Sequence, residues 1–518
     1  MFITALQMSC DYLSINYVRS FSILLEENLK IIHRVTNSGL MKRIRHVKFT
    51  VFSLSGIIIC LLIQGYSHLS PSHDNPVQED IHVSRSYDDS EINYFQPLKP
   101  THFPFPEALR PHVEFWKKIF TEHTSTQAVI HDRRHVGIIY TVIDLTEKQR
   151  YSASARRKAI RPVIQKYKSM LLTLNKLDPE KIDTLNKEEK RVFRMIQEVP
   201  GNYTFSRARR NFRVQYGLKD RFQKAMVNST RYIKDMEQIF IRHGLPVELS
   251  RLPFVESSFN IEAHSRAGAA GIWQFTRSTG KHYMRIDPVI DERRDPLKST
   301  EAAAKLLSSY YNELKSWPLA ITAYNHGAAA MHRAINKTKS RDIERIINNY
   351  KSRTFGFSSR NFYSEFLAVL EILRDYRPYF GEPEFLTPDE YEVFILEDYI
   401  KMNTLLAHTS LDGKVITRLN PELRQSVLTS RRFLPKQYHL KIPSGMKEQL
   451  TKEYAMIAST EKRRHLNITK LHRVRYGQSL SYIAKLYNTS VQAIISVNSI
   501  KDPDKLMKGQ LLKIPVQA

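Results

Sequence analysis

A chain of 518 residues is long enough for roughly three domains, each with a real core. An apolar content of 42% and an aromatic content of 10% exclude both a disordered chain and a polytopic membrane protein. With 79 Lys and Arg against 52 Asp and Glu, the net charge of +27 asks for an anionic partner: nucleic acid, acidic membrane or acidic polysaccharide. Both cysteines, Cys10 and Cys60, fall in the first 60 residues, so a disulfide framework, a cysteine zinc site and thiol catalysis are excluded beyond them.

In chain order, Lys42, Arg43, Arg45 and Lys48 stand directly before the apolar run from Phe49 to Ile63. Basic-then-apolar order predicts an export signal or an uncleaved anchor over 41–67. No Ala-x-Ala cleavage site follows, and Ile59 precedes Cys60 where a lipid-anchoring signal has a small residue. Met41 opens the basic cluster, which makes 1–40 a candidate over-extended start. The expectation is an exported chain in the cell envelope, on the periplasmic side, associated with the membrane through this segment. Nucleic acid is then no longer a natural partner.

Residues 68–108, rich in Pro, Ser, His and Asp, are expected to form a linker. Residues 128–143 fit a short β-hairpin or a helix equally well. His131 and His135, four apart within them, are either a ligand pair or an ordinary surface pair. The rest of 109–240 patterns as a basic helical region, with Tyr232, Met236, Ile239 and Phe240 on one apolar face. Between Gly201 and Phe240 nine Lys and Arg face three Asp and Glu, which is either a solvated surface or a groove for an anionic polymer. After a break at His243–Pro246, helices are predicted near 299–315 and 360–376, and strands only near 391–396, 438–442 and 511–514. The C-terminal third repeats itself at an offset of 78, pairing Leu405 with Ile483, Ile416 with Ile494 and Asn420 with Asn498.

The chemistry-bearing stretch is Leu252-Pro-Phe-Val-Glu-Ser-Ser-Phe-Asn260. Glu256, among Pro253, Phe254, Val255 and Phe259, is a carboxyl whose desolvation would raise its pKa and make it a general acid near neutrality. Downstream, Gly268 and Gly271 permit close backbone approach, and Trp273 and Gln274 offer a stacking surface and an amide. Ala320-Ile-Thr-Ala-Tyr-Asn-His-Gly adds Tyr324 and Asn325. Flat faces and amides around one carboxyl suit a sugar polymer.

These motifs, in order and together with Asn361-Phe-Tyr363, resemble the lytic transglycosylases with a soluble-type catalytic domain. The family's Gly-Leu-Met-Gln reads Gly-Ile-Trp-Gln here, with the glutamine in place. The resemblance implies a mainly α protein: a lysozyme-like catalytic domain over 241–385, preceded by a helical region. It implies cleavage of the MurNAc–GlcNAc bond of peptidoglycan without water, Glu256 protonating the glycosidic oxygen and then taking the MurNAc C6 hydroxyl proton to close a 1,6-anhydro ring. Ser257 would position Glu256, Gln274 and Asn325 would bond the sugars, and Tyr324 and Tyr363 would line the groove. No metal or cofactor is implied. Intramolecular attack supplies the nucleophile at high effective concentration, so one carboxylate suffices. An ordinary glycosidase needs a second. The nearest candidates, Glu262, Asp287 and Asp291, read as surface or capping residues.

Val474, Gly477, Ser479, Leu480, Asn498 and Gly509-Gln510 resemble LysM, a small β-α-α-β module that binds N-acetylglucosamine chains. This assigns 470–516 to such a module, 446–469 to a linker, and 390–445 to a degenerate copy that is either a spacer or a second binder. The expected partner is the peptidoglycan glycan strand. A hydrolytic muramidase and a catalytically inactive wall-binding protein remain as alternatives.

Overall fold

The computed structural model describes Tyr94, Phe95 and residues 102–500 and 502–517. The segment expected to be a signal or anchor, the candidate start over 1–40 and both cysteines lie outside the described residues. Among the described residues no helix is long and apolar enough to cross a membrane.

Helix α1 (Arg110–Thr121) begins with Pro111 in its first turn, where no amide bond is lost, and turns Val113, Trp116, Ile119 and Phe120 inward. The next segment resolves as a hairpin, β1 (Gln127–Asp132) against β2 (Ile139–Asp144). The free edge of β1 pairs with β3 (Phe212–Tyr216), giving the antiparallel order β2-β1-β3. The open choice over 128–143 thus falls to the hairpin, and only β3 lies in a stretch expected to be helical. The period-two alternation Phe-Arg-Val-Gln-Tyr is the local reason for β3. Helices α2 (Ala153–Leu174) and α3 (Lys187–Gln197) close a small core on this sheet through Ile160, Tyr167, Leu171, Val192 and Ile196. His131 is wholly buried with its ring 4.5 Å from that of Phe115, while His135 stands in the hairpin turn against Tyr203, so the two do not form a ligand pair.

Helices α4 (Lys219–Ser229) and α5 (Ile233–Arg242) lead to the short α6 (Leu252–Glu256). Helix α7 (Pro296–Leu314) is capped by Asp295, whose side chain accepts from Leu297 N and Lys298 N. It is followed by α8 (Trp317–His326), α9 (Ala328–Thr338), α10 (Ile343–Asn349) and α11 (Phe357–Arg374). Most of α11 is buried, and α1, α6 and α8 pack around it. A helix apolar on nearly every side belongs at the centre of a domain.

The main core reaches across two of the expected bounds. Tyr94, Phe95 and Phe103, placed in a linker by composition, belong to the main core; Phe103 meets Phe366 at 5.2 Å between ring centroids. That core also runs through α1, α4 and α5, so residues on both sides of 241 share it. Aromatic side chains inside a polar-looking segment found partners that composition could not name.

Beyond Gly381 come β4 (Tyr391–Ile395), α12 (Met402–His408), α13 (Gly413–Leu419) and β5 (His439–Pro443). The C-terminal unit repeats this order with β6 (Asn467–Arg473), α14 (Leu480–Leu486), α15 (Val491–Asn498) and β7 (Leu511–Gln517). Asn420 Nδ2 donates to Ile416 O and Lys441 O, and its Oδ1 accepts from Lys441 N. Asn498 makes the corresponding three bonds to Ile494 O, Lys513 O and Lys513 N. In both units one asparagine ties the end of the second helix to the closing strand.

The first unit is fixed to the helical domain. Ile290 enters its core, Arg424 Nη2 pairs with Asp291 Oδ2 at 2.8 Å, and Lys441 Nζ with Asp295 Oδ2 at 2.6 Å. Asp291 is buried among Arg293 and Arg424 and is not the surface carboxylate expected, whereas Asp287 caps the turn at Val289 and Ile290 and Glu262 is exposed.

Candidate active site

Helix α6 starts on Leu252, carries Pro253 in its first turn and ends at Glu256, with Ser257 as its C-cap. Ser258 (φ 53°) and Phe259 (φ 50°) then take left-handed conformations, turning the chain so that Phe254 and Phe259 bury against each other with ring centroids 4.8 Å apart. Such backbone costs on the order of 1 kcal/mol or more per non-glycine residue and persists only where packing imposes it. It leaves Glu256 at the helix end, partly buried, with no hydrogen-bond or ion-pair partner for its carboxyl among the described residues. Burial pushes that carboxyl up to about 8. At neutral pH it carries a proton it can donate.

The glycine-rich segment folds back beside it. Ser257 Oγ donates to Ile272 O at 2.8 Å, joining the Glu256 turn to this loop. Gly271 (φ 75°) lies so close to Arg293 that a Cβ there would sit 1.7 Å from Arg293 O; no other residue fits. Arg293 braces the loop, donating to Gly268 O and Phe275 O while forking onto both oxygens of Asp291. Gln274, also left-handed (φ 50°), donates through Nε2 to Gly271 O at 2.8 Å. Tyr324, near the end of α8, donates its hydroxyl to Trp273 O at 2.8 Å. Burial, and next the neighbouring Glu256 carboxyl, hold the Tyr324 phenol well above its usual range. The loop thus draws together Glu256, Ser257, Gln274 and Tyr324.

Residues 241–347 match the profile of the Transglycosylase SLT domain, and residues 472–515 that of the LysM domain. The chain carries both domains. The chain is 28% identical over 285 residues to the Membrane-bound lytic murein transglycosylase D of Escherichia coli strain K12, which covers 53% of this chain and 61% of that protein. A Putative tributyltin chloride resistance protein of Alteromonas is 35% identical over 102 residues, 19% of this chain and 49% of its own. The chain therefore spans less than two thirds of these relatives' lengths. Among solved structures, an inactive mutant of the lytic transglycosylase Slt from Pseudomonas aeruginosa aligns at 15% identity and TM-score 0.24, over 46% of this chain and 37% of its own. The 70 kDa soluble lytic transglycosylase of Escherichia coli aligns at 13% and 0.23, over 44% and 31%.

Within and beside the SLT domain the remaining expected residues divide. Asn325 is exposed and its Oδ1 accepts from Ser359 Oγ at 2.8 Å. Tyr363 does not line a groove: α11 turns it wholly inward, and its hydroxyl donates to Pro104 O at 2.7 Å. Trp273 offers no stacking face either, being fully buried with Nε1 donating to Thr300 Oγ1. Asn361 is buried too and accepts from Trp116 Nε1.

Sequence reasoning missed Glu365. It lies half-buried on α11, which packs against α6, and its carboxyl is pushed up to about 8 by burial and by the charge of Glu256, against a smaller opposing pull from Arg213. The available signal was a carboxylate, Glu365, inside the largely apolar stretch Phe362–Leu370.

Proposed function

We propose that this chain is a peptidoglycan lytic transglycosylase that cleaves the MurNAc–GlcNAc bond without water and leaves 1,6-anhydro-MurNAc ends, in remodelling of the cell wall. The observation that carries this reading is the unpartnered, protonated Glu256 carboxyl at the heart of an SLT domain. Glu256 donates its proton to the glycosidic oxygen and, as carboxylate, takes the C6 hydroxyl proton so that the ring closes on itself. Ser257 holds the turn that aims Glu256, Gln274 and Asn325 bond sugar hydroxyls, and Tyr324 walls the site. The LysM domain, and with it the β-α-α-β unit over 390–445, holds the strand. Export through 41–67 carries the enzyme to the periplasmic envelope, and the word membrane-bound in the name of its Escherichia coli relative supports a place at the membrane.

Glu365 gives the hydrolytic alternative its one specific footing, because a second carboxyl could activate water. Its elevated pKa argues against that role: near neutrality it is protonated and is no base. Mass spectrometry of products from purified sacculi is the test. Anhydro-muramyl ends made by the parent and absent with Glu256→Gln support the proposal; reducing muramyl ends would replace it with hydrolysis.

A further inference from the structure

A cavity of about 1090 Å³ opens between the β1–β2 turn, the segment leading into β3, and the loop joining α10 to α11. Arg133, Arg134, Arg207, Arg210 and Arg213 reach it from one side. Lys351, Arg353 and Arg360 reach it from the other. No aspartate or glutamate lines it, and none of these eight cations forms an ion pair among the described residues. Burial, with Arg133 and Arg134 close by, depresses Arg360, and burial with Arg133 depresses Arg213. Arg213 lies 3.8 Å over the Phe357 ring, and its buried Nε has no partner. The first turn of α11 also faces the cavity, with Gly356 as a cap that supplies no side-chain bond. Eight like charges with no carboxylate among the lining residues, and only Glu365 behind Arg213, oppose folding, so their persistence points to an anionic ligand.

The position says which anion. Asn361 lines the cavity, and Glu365 stands one turn further along α11, about 5.4 Å, with its carboxyl within reach of the Glu256 charge. A muramyl sugar at Glu256 carries a short acidic peptide. Three to five residues span roughly 10–17 Å when extended, two to three times the one-turn rise from Glu365 to Asn361 at the cavity. Resting on the transglycosylase reading above, we propose that this cavity binds the carboxylates of the substrate's stem peptide and so selects peptide-bearing glycan strands over stripped ones. Guanidinium groups suit the task because their fork matches a carboxylate with two parallel bonds.

The test compares kcat/KM of the full chain on peptide-bearing strands and on the same strands stripped of peptide by an amidase. Arg133→Gln with Arg210→Gln alters one wall, and Lys351→Gln with Arg353→Gln the other, all at exposed positions. Each pair is expected to lower turnover of peptide-bearing strands about tenfold and to leave turnover of stripped strands as in the parent. Equal losses on both substrates, or no loss, would overturn the proposal. So would inhibition by a phosphate-rich polymer that is relieved in the variants while their substrate preference stays unchanged. Calorimetric titration with the free stem peptide reads the cavity alone. If the parent cut neither substrate yet bound the peptide and the variants did not, the transglycosylase reading would fall and the cavity assignment would stand.

Discussion

The Glu256 carboxyl leaves bulk water without gaining a hydrogen bond, and Glu365 does much the same beside it. Because each would repel the other's charge, the first proton lost above neutrality belongs to the pair and not to one residue. Replacing Glu256 by Gln keeps shape and removes the transferable proton. Turnover should fall by about two to four orders of magnitude, toward the upper end since one group serves both steps, while sacculus binding persists. Near-normal formation of anhydro ends by this variant would end the assignment. For Glu365 the expected effect lies in pH dependence. In the folded chain both carboxyls stay neutral up to about 8, whereas unfolded they ionise near 4.5. Unfolding therefore releases protons between those values, and stability falls as pH rises through that window. Glu365→Gln should match the parent near pH 4.5 and gain on the order of 1–2 kcal/mol by pH 8, a few degrees in Tm. The alkaline limb of its activity profile should also move to lower pH, because Glu256 loses a repelling neighbour. Thermal melts and rate profiles across pH check both; a pH-independent difference would refute the electrostatic account.

At the scale of the element, the turn after α6 and the 263–274 loop work as one strained piece. Left-handed Ser258, Phe259 and Gln274 flank the acid, and the loop is fastened by Ser257 to Ile272, Tyr324 to Trp273 and Arg293 to two carbonyls. Gly271→Ala confronts both a φ of 75° and a contact of 1.7 Å with Arg293 O. It should cost several kcal/mol, about 2–4, and reduce activity more than Tyr324→Phe, which removes one hydrogen bond worth about 1 kcal/mol. Denaturant melts paired with turnover measurements rank the two variants, and the reverse order would show that the loop tolerates rearrangement.

Across the whole molecule, the SLT and LysM domains occupy separate stretches of the chain. The C-terminal β6–β7 unit has its own small core of Val474, Leu480, Ile483, Ile494, Leu512 and Ile514. Removing 470–518 should weaken retention on insoluble peptidoglycan several-fold and leave cleavage of short soluble glycan fragments nearly unchanged. A pull-down in which full-length and shortened chains are retained equally would make the unit a bystander. The unit over 391–443 is different, because Asp291–Arg424 and Asp295–Lys441 anchor it beside the residues that brace the catalytic loop. Breaking one partner of a buried pair strands the other, at about 3–5 kcal/mol. Asp291 keeps its fork from Arg293 when Arg424 is lost, so the sharper test is Lys441→Ala, which removes the partner of buried Asp295 and should lower the stability of the helical domain, as melting followed by turnover would register.

The sequence by itself determined the periodic and the local: the buried faces of α5, α7 and α11, the acid at the end of α6, the glycine that Gly271 has to be, and the repeat that pairs Asn420 with Asn498. The helix faces depend on neighbours a few residues apart, where spacing and residue type suffice, while Gly271 and the two asparagines stand out as residue types whose partners, Arg293, Lys441 and Lys513, the fold supplies. Contacts between distant segments required the tertiary structure. Tyr363 and Trp273 carry ring chemistry that suits a sugar, yet helix orientation sends both into the core. Glu365 is separated from Glu256 by more than a hundred residues, and only the packing of α11 on α6 joins their titrations. The same holds for the eight cations around the cavity. Their number was evident in the composition, but whether they form a solvated surface or a shared site depends on which loops the fold brings face to face.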